Sequence, residues 1–145
     1  MIKIDFPPPE FRVRERGGQP EIFDAIRKRW VKLLPEEWVR QNLVQWLILK
    51  KSVPAACIAI EKQVVVNGMS KRFDLVVFDA RAIPWMLVEI KAPEVILEAP
   101  ALMQALSYHS SLDATFMAIT NGISCWVADM KKGSPEWLPQ FPEYV

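Results

Sequence analysis

Asn67-Gly68 is the dipeptide that most narrows what this chain folds into. Asn and Gly tolerate the positive φ angles of a two-residue hairpin turn, and here they join two β-branched runs. The incoming strand reads from about Ala56 to Val66. The return strand, Ser70 to Asp79, alternates. Period two puts Arg72, Asp74 and Val76 on one face and Phe73, Leu75 and Val77 on the other. Asn121-Gly122 repeats the signal between strands at Thr115–Thr120 and Ile123–Ala128. Another strand, Trp85 to Lys91, lies between the hairpins and is stopped by Pro93.

The rest of the chain supplies helices. Pro7, Pro8 and Pro9 keep the start extended, and Gly17, Gly18 and Pro20 break it again. Ile22, Ile26 and Trp30 then recur at i, i+4 and i+8, which predicts a helix over Glu21 to Val31. Pro35, followed by Glu36 and Glu37, is a helix start, with acidic residues where the dipole favours them. Val39, Leu43, Trp46 and Leu47 make its apolar stripe as far as about Lys50, with Glu37, Gln41 and Val44 on a neighbouring face. Trp38 and Trp46 read as core residues. A later helix, Pro100 to Leu112, carries Leu102, Ala105, Leu106 and His109 on one stripe and Gln104 and Tyr108 as i, i+4 neighbours.

Helix, helix, three strands, helix and two strands make a mixed α/β domain, a central sheet with helices on its faces. The 145 residues suit a single domain. Within it, residues 1–34 read as an N-terminal extension with a helix, 35–130 as the core and 131–145 as a Pro-rich, irregular tail.

Composition excludes several functions. Eighteen Lys+Arg against 17 Asp+Glu leave a net charge of +1, which rules out a uniformly basic nucleic-acid coat. Residues 1–51 carry 11 basic and 7 acidic side chains, residues 52–145 carry 7 and 10. Arg27, Lys28, Arg29 and Lys32 supply much of that asymmetry, as a solvated helix face or a shallow basic surface. No apolar run is long enough to span a membrane and no signal-peptide pattern opens the chain, and two cysteines that suggest no disulfide scaffold make a reducing cytoplasm the expectation. Cys57 and Cys125 are far apart and near no second ligand, and His109 is the single histidine. Zinc sites and histidine-based triads therefore have little to work with. Carboxylates and lysines remain.

Those residues gather in the third strand, Trp85-Met86-Leu87-Val88-Glu89-Ile90-Lys91. Glu89 and Lys91 are two apart and leave the same face. Asp74, also flanked by apolar residues, converges on Glu89 if the strands pair. Two carboxylates make a hard-oxygen site for magnesium or manganese, and a lysine beside them can orient or deprotonate a water. A structural ion pair among the three explains the same spacing.

The run Arg72-Phe73-Asp74, fourteen residues, then Glu89-Ile90-Lys91 resembles the PD-(D/E)XK nuclease superfamily. More narrowly, P-E-E-W-V-R-Q at 35–41, K-R-F-D at 71–74, V-E-I-K-A-P at 88–93, Q-A-L-S-Y at 104–108 and I-T-N-G at 119–122 look like the N-terminal nuclease domain of type I restriction enzyme R subunits. The resemblance implies a restriction-endonuclease-like core (α-βββ-α-β) and metal-dependent cleavage of DNA. By the same resemblance Asp74 and Glu89 bind Mg2+ or Mn2+, with the carbonyl of Ile90 as a third ligand. Lys91 activates the attacking water. Gln104, with Tyr108 one turn on, supports the site or contacts a phosphate. Glu37 matches an acidic position that extends metal or water binding, although a first-turn glutamate also suits the helix dipole. Arg72 meets a phosphate or neutralises the acidic cluster, and Arg40 and Gln41 are further candidates. His109 reads as a buried structural residue.

Type I R subunits continue into a motor, for which 145 residues leave no room and which this chain's lack of a Gly-rich phosphate loop does not supply. The expectation is a free-standing nuclease, or a component recruited by restriction or motor partner proteins, with a homodimer able to place two sites across a duplex. A catalytically silent DNA-binding or assembly module on the same fold is the alternative. A carboxylate–metal enzyme acting on a small phosphate ester is the third reading.

Overall fold

The structure, a computed structural model, describes residues 1–66, 68–100, 114–131 and 135–145. In chain order the elements are β1 (Ile2–Lys3), β2 (Val13–Arg16), β3 (Gln19–Asp24), β4 (Arg29–Lys32), α1 (Pro35–Lys51), a 3-10 turn at Ala55–Cys57, β5 (Ile58–Val66), β6 (Met69–Phe78), β7 (Pro84–Ile90), β8 (Phe116–Thr120), β9 (Ser124–Asp129) and β10 (Glu136–Trp137). The main sheet runs β1-β9-β8-β7-β6-β5, with β10 sharing the outer edge of β9. Its pairings are antiparallel except β7 with β8, so the sheet is mixed and the protein is an α/β fold. A parallel pair cannot be joined by a tight hairpin, and β7 and β8 are far apart in sequence accordingly. The helix expected over Pro100–Leu112, with Gln104, Tyr108 and His109, lies outside the described residues apart from its first position.

α1 follows its sequence signals. Pro35 begins it, Glu36 and Glu37 fill the first turn, and Lys50 and Lys51 the last. Ser52 closes it in the left-handed conformation, its N–H bonded to the Leu47 carbonyl. Val39, Leu43, Trp46 and Leu47 are buried against one face of the sheet, with Leu75, Val77, Met86, Val88 and Ile90. Trp38, expected in the core, is 38% exposed and meets Phe11 edge to face. The opposite face of the sheet gathers Phe73, Val76, Leu87, Met117 and Ala128. The tail belongs to the fold: Phe141 packs on Trp46, and the Tyr144 hydroxyl donates to the Phe78 carbonyl at 2.7 Å.

The helix expected over Glu21–Val31 is not formed. Residues 13–32 make an antiparallel sheet of their own, β2-β3-β4. Gly17 and Gly18 both have positive φ, 58° and 78°, and join Arg16 to Gln19 in a two-residue hairpin turn. At the next corner the Asp24 carboxylate accepts the N–H groups of Ile26 and Arg27, both at 2.8 Å. Phe23 and Trp30 are cross-strand partners with ring centroids 5.5 Å apart, and Arg12 and Arg14 lie over the Trp30 ring. The apolar spacing was thus a coincidence of two strands: Ile22 stands on β3, Trp30 on β4 and Ile26 in the turn between them. Turn chemistry outweighed periodicity.

A second departure falls on β6. Leu75 and Val77 pack toward α1, but Phe73 packs with Val76 on the other face. The expected alternation is therefore broken at Asp74, which does not share a face with Val76. Opposite it on β5, Glu61 has a left-handed backbone (φ 52°), and the regular register resumes at Lys62–Phe73.

Candidate functional site

The break at Asp74 coincides with the parting of two strands. β6 and β7 pair from Phe78–Pro84 to Leu75–Val88 and no further. At the next level the Asp74 carboxylate replaces a main-chain carbonyl: its Oδ2 accepts the N–H of Ile90 at 2.7 Å. The opening between the strands therefore brings together Asp74 and Glu89, as the sequence led one to expect. Burial pushes the Glu89 carboxyl above its ordinary range, the Asp74 charge adds to the rise, and Lys71 and Lys91 oppose it. Glu89 Oε1 is buried and accepts no hydrogen bond. Its nearest cation is Lys71 Nζ, at 3.8 Å. Lys91 follows β7 directly and is exposed, while its N–H is fixed to the Thr120 carbonyl at 2.8 Å.

The I-T-N-G element holds that backbone. The Asn121 side chain donates to the Val95 carbonyl at 2.8 Å and accepts the N–H groups of Ile123 and Ser124. It ties the segment after Lys91 to the β8–β9 turn. Gly122 (φ 87°) lets that turn press on α1, where a Cβ would stand 3.2 Å from Val39 Cγ2.

On the α1 side the acidic pair borders a buried ionic network. Glu37 Oε1 accepts from Arg27 Nη2 at 2.7 Å and from Arg40 Nη1 at 3.1 Å, and Oε2 accepts from Gln41 at 3.1 Å. Arg40 reaches on to Asp74 Oδ1, 3.8 Å away, and to Glu61 Oε1, 3.9 Å away. Arg27 is clasped by Asp24 and lies 3.7 Å from Glu61. Arg72 pairs with Glu61 at 3.0 Å and is 60% exposed. Burial alone would raise the Asp24 carboxyl, but hydrogen bonds from Arg27 and Ile26 and the Arg27 charge outweigh it and hold the group low.

Several expected placements change accordingly. Glu37 faces two guanidiniums rather than Asp74 and Glu89, so Arg40 carries its influence to the pair. Arg27, read as part of a solvated basic face, is 14% exposed and belongs to this network. Lys71, Glu61 and Asp24 escaped the sequence reading as site residues, and so did the part Arg27 plays in the network. Glu61 had no signal beyond a charge in an apolar strand, and Arg27 was assigned to a helix that does not exist. Gln104 and Tyr108 lie outside the described residues.

Among the described residues no three His, Cys, Asp or Glu side chains are gathered as a metal cage. Asp74 and Glu89 offer two carboxylates, and a buried Glu89 oxygen that accepts no hydrogen bond is the kind of acceptor a hard cation satisfies. The residues thus fit one divalent cation held partly by protein and partly by water. Cys57 and Cys125 are free thiols, and burial raises that of Cys125 to about 12, which leaves it unreactive. No helix among the described residues is long and apolar enough to cross a membrane.

Comparison with known families places residues 35–142 in a match to the type I restriction enzyme R protein N terminus. The match spans α1, the main sheet from β5 to β10 and the carboxylate pair. A comparison with curated proteins found no match.

Proposed function

The chain belongs to the type I restriction enzyme R protein N-terminal family, and from that premise we propose that it is a metal-dependent deoxyribonuclease domain of the PD-(D/E)XK type. The observation that carries this reading is the buried Glu89 oxygen beside Asp74 where β6 and β7 part, which accepts no hydrogen bond and has only Lys71 near it, at 3.8 Å. Two like charges converging at a strand opening are unfavourable unless a cation lies between them or one is protonated, and a bound metal ion relieves them more fully than the flanking Arg40 and Lys71.

Asp74 and Glu89 hold Mg2+ or Mn2+, with the Ile90 carbonyl as a further ligand. When bound, such a cation supplies charge stabilisation for phosphodiester hydrolysis. Lys91, on the strand face of Glu89, orients the attacking water and assists its deprotonation. Arg40 holds Asp74 toward the opening while Glu37 and Gln41 anchor the helix side. By the family resemblance Gln104 and Tyr108 support the site or contact a phosphate. DNA is the substrate, and restriction or motor proteins, or a second copy of the chain, are the partners that bring it.

The test is cleavage of single-stranded and duplex DNA with magnesium or manganese, beside Asp74→Ala and Lys91→Ala. Lys91→Ala should lose about 10²- to 10⁴-fold in rate, the usual worth of a proton-transfer group, while calorimetry still detects metal. Asp74→Ala should lose both cleavage and metal binding. Wild-type protein that neither cleaves nor binds metal would leave the silent-module alternative standing. That alternative draws on the site's own neutralisation: Arg40 and Lys71 already flank the two carboxylates.

A further inference from the structure

β5 and β6 continue together past the end of the pairing of β6 with β7. Their mutual register runs to Val66–Met69, whereas β6 loses β7 after Leu75. Residues 61–66 and 69–73 therefore form a two-stranded arm rooted at the Asp74–Glu89 opening. At roughly 3.3 Å per residue the two strands run about 20 Å, with the root held on the second apolar cluster by the buried Phe73 and the partly buried Val64 and the outer part projecting. Directly opposed residues of an antiparallel pair share a face. Lys62 opposite Phe73 and Lys71 opposite Val64 occupy one face; Arg72 opposite Gln63 and Ser70 opposite Val65 occupy the other.

The contacts agree with that assignment. Lys71 lies over the Phe73 ring and beside Glu89, while Arg72 turns to Glu61 on the α1 side. Three cations and one carboxylate, Glu61, are thus spread over both faces of a narrow ribbon in a chain whose net charge is only +1. Lys62 is exposed, Lys71 is 46% exposed and Arg72 is 60% exposed. Val65 near the tip is exposed too.

A ribbon with cations on both faces matches one shape of polyanion, a duplex groove walled by two phosphate backbones. The major groove, ~12 Å wide and ~8.5 Å deep, admits a two-stranded ribbon, and an arm of this length spans its depth. We propose that the β5–β6 arm enters a groove of duplex DNA, with Lys62 and Lys71 toward the phosphates of one strand and Arg72 toward those of the other. The arm then sets where the bound duplex meets the carboxylate pair at its root. This inference rests on DNA being the substrate of the site.

The experiment is fluorescence anisotropy with a labelled duplex over a salt series, in an Asp74→Asn background that prevents cleavage and keeps an acceptor for the Ile90 N–H. Each of Lys62→Ala, Lys71→Ala and Arg72→Ala should lower the slope of log affinity against log salt by about one and weaken binding about eightfold at ~0.1 M salt. Lys62→Arg and Lys71→Arg should bind like the parent. Should Lys71→Ala or Arg72→Ala fail to fold, Lys62→Glu at its exposed site carries the test, with a loss greater than that of Lys62→Ala. A parent that binds with a slope unchanged by these substitutions would overturn the arm's role and leave the nuclease reading intact. A parent with no salt-dependent affinity for duplex DNA would overturn both.

Discussion

Arg27 donates from its guanidinium Nη2 to Glu37 Oε1 at 2.7 Å, joining a turn of the small N-terminal sheet to the first turn of α1. The two residues are ten apart in sequence and lie on different elements. Through Glu37 and Arg40 the N-terminal sheet reaches Asp74. The small sheet is therefore linked to the candidate site although residues 1–34 precede the family match.

Arg27→Ala should cost about 3–5 kcal/mol, the usual result of breaking a buried pair by removing one partner. Asp24, fully buried, would be left without its guanidinium, and Glu37 would lose one of three donors. Chemical denaturation at pH 7 measures this. A loss below about 1 kcal/mol would mark the contact as an ordinary surface pair.

The two shifted carboxyls predict opposite responses to pH. Asp24 is held below its ordinary 3.8, so its contribution is complete above that value and is lost as pH falls through the lower, folded-state value. Asp24→Asn should flatten the acid limb of the stability profile. Glu89 is raised above 4.5, so the folded state binds its proton more tightly than the unfolded chain. In metal-free buffer the wild type should lose stability relative to Glu89→Gln as pH rises from 4.5 through that raised value, with the full difference present at higher pH. Melting temperatures from pH 3 to 8 read both effects. Parallel profiles for wild type and Glu89→Gln would remove the strained carboxyl from the account.

Gly122→Ala should destabilise the fold by about 1–3 kcal/mol, because a left-handed backbone and a close contact both oppose a Cβ there. The contact falls on the Val39 methyls, at 3.2 and 3.3 Å. A double-mutant cycle with Val39→Ala should show coupling of at least about 0.5 kcal/mol. Additive losses would mean that only the backbone strain matters.

Much of the core was legible because local physics wrote it. Pro35, the acidic first turn and the 39–43–46–47 stripe are helix chemistry contained within one segment, and α1 forms as they indicate. The strands around both Asn-Gly pairs formed within one or two residues of their expected bounds, as 58–66 against 69–78 and 116–120 against 124–129. The helix expected at 21–31 failed because a short apolar repeat is ambiguous, and Gly17-Gly18 together with the Asp24 turn decided for strands.

The sequence by itself determined that Asp74 and Glu89 would stand on two successive strands, since apolar alternation and β-branched runs mark both, but it left the pairing of those strands conditional. Tertiary structure alone decided their surroundings. The break in alternation at Asp74, the burial of a Glu89 oxygen that accepts no hydrogen bond, the approach of Lys71 and the passage from Arg27 through Glu37 to Arg40 depend on residues far apart in the chain meeting in one place. No local propensity encodes such meetings. Charges buried at the seam between a helix and two sheets must find partners across it, and the packing of the layers determines which partners are within reach.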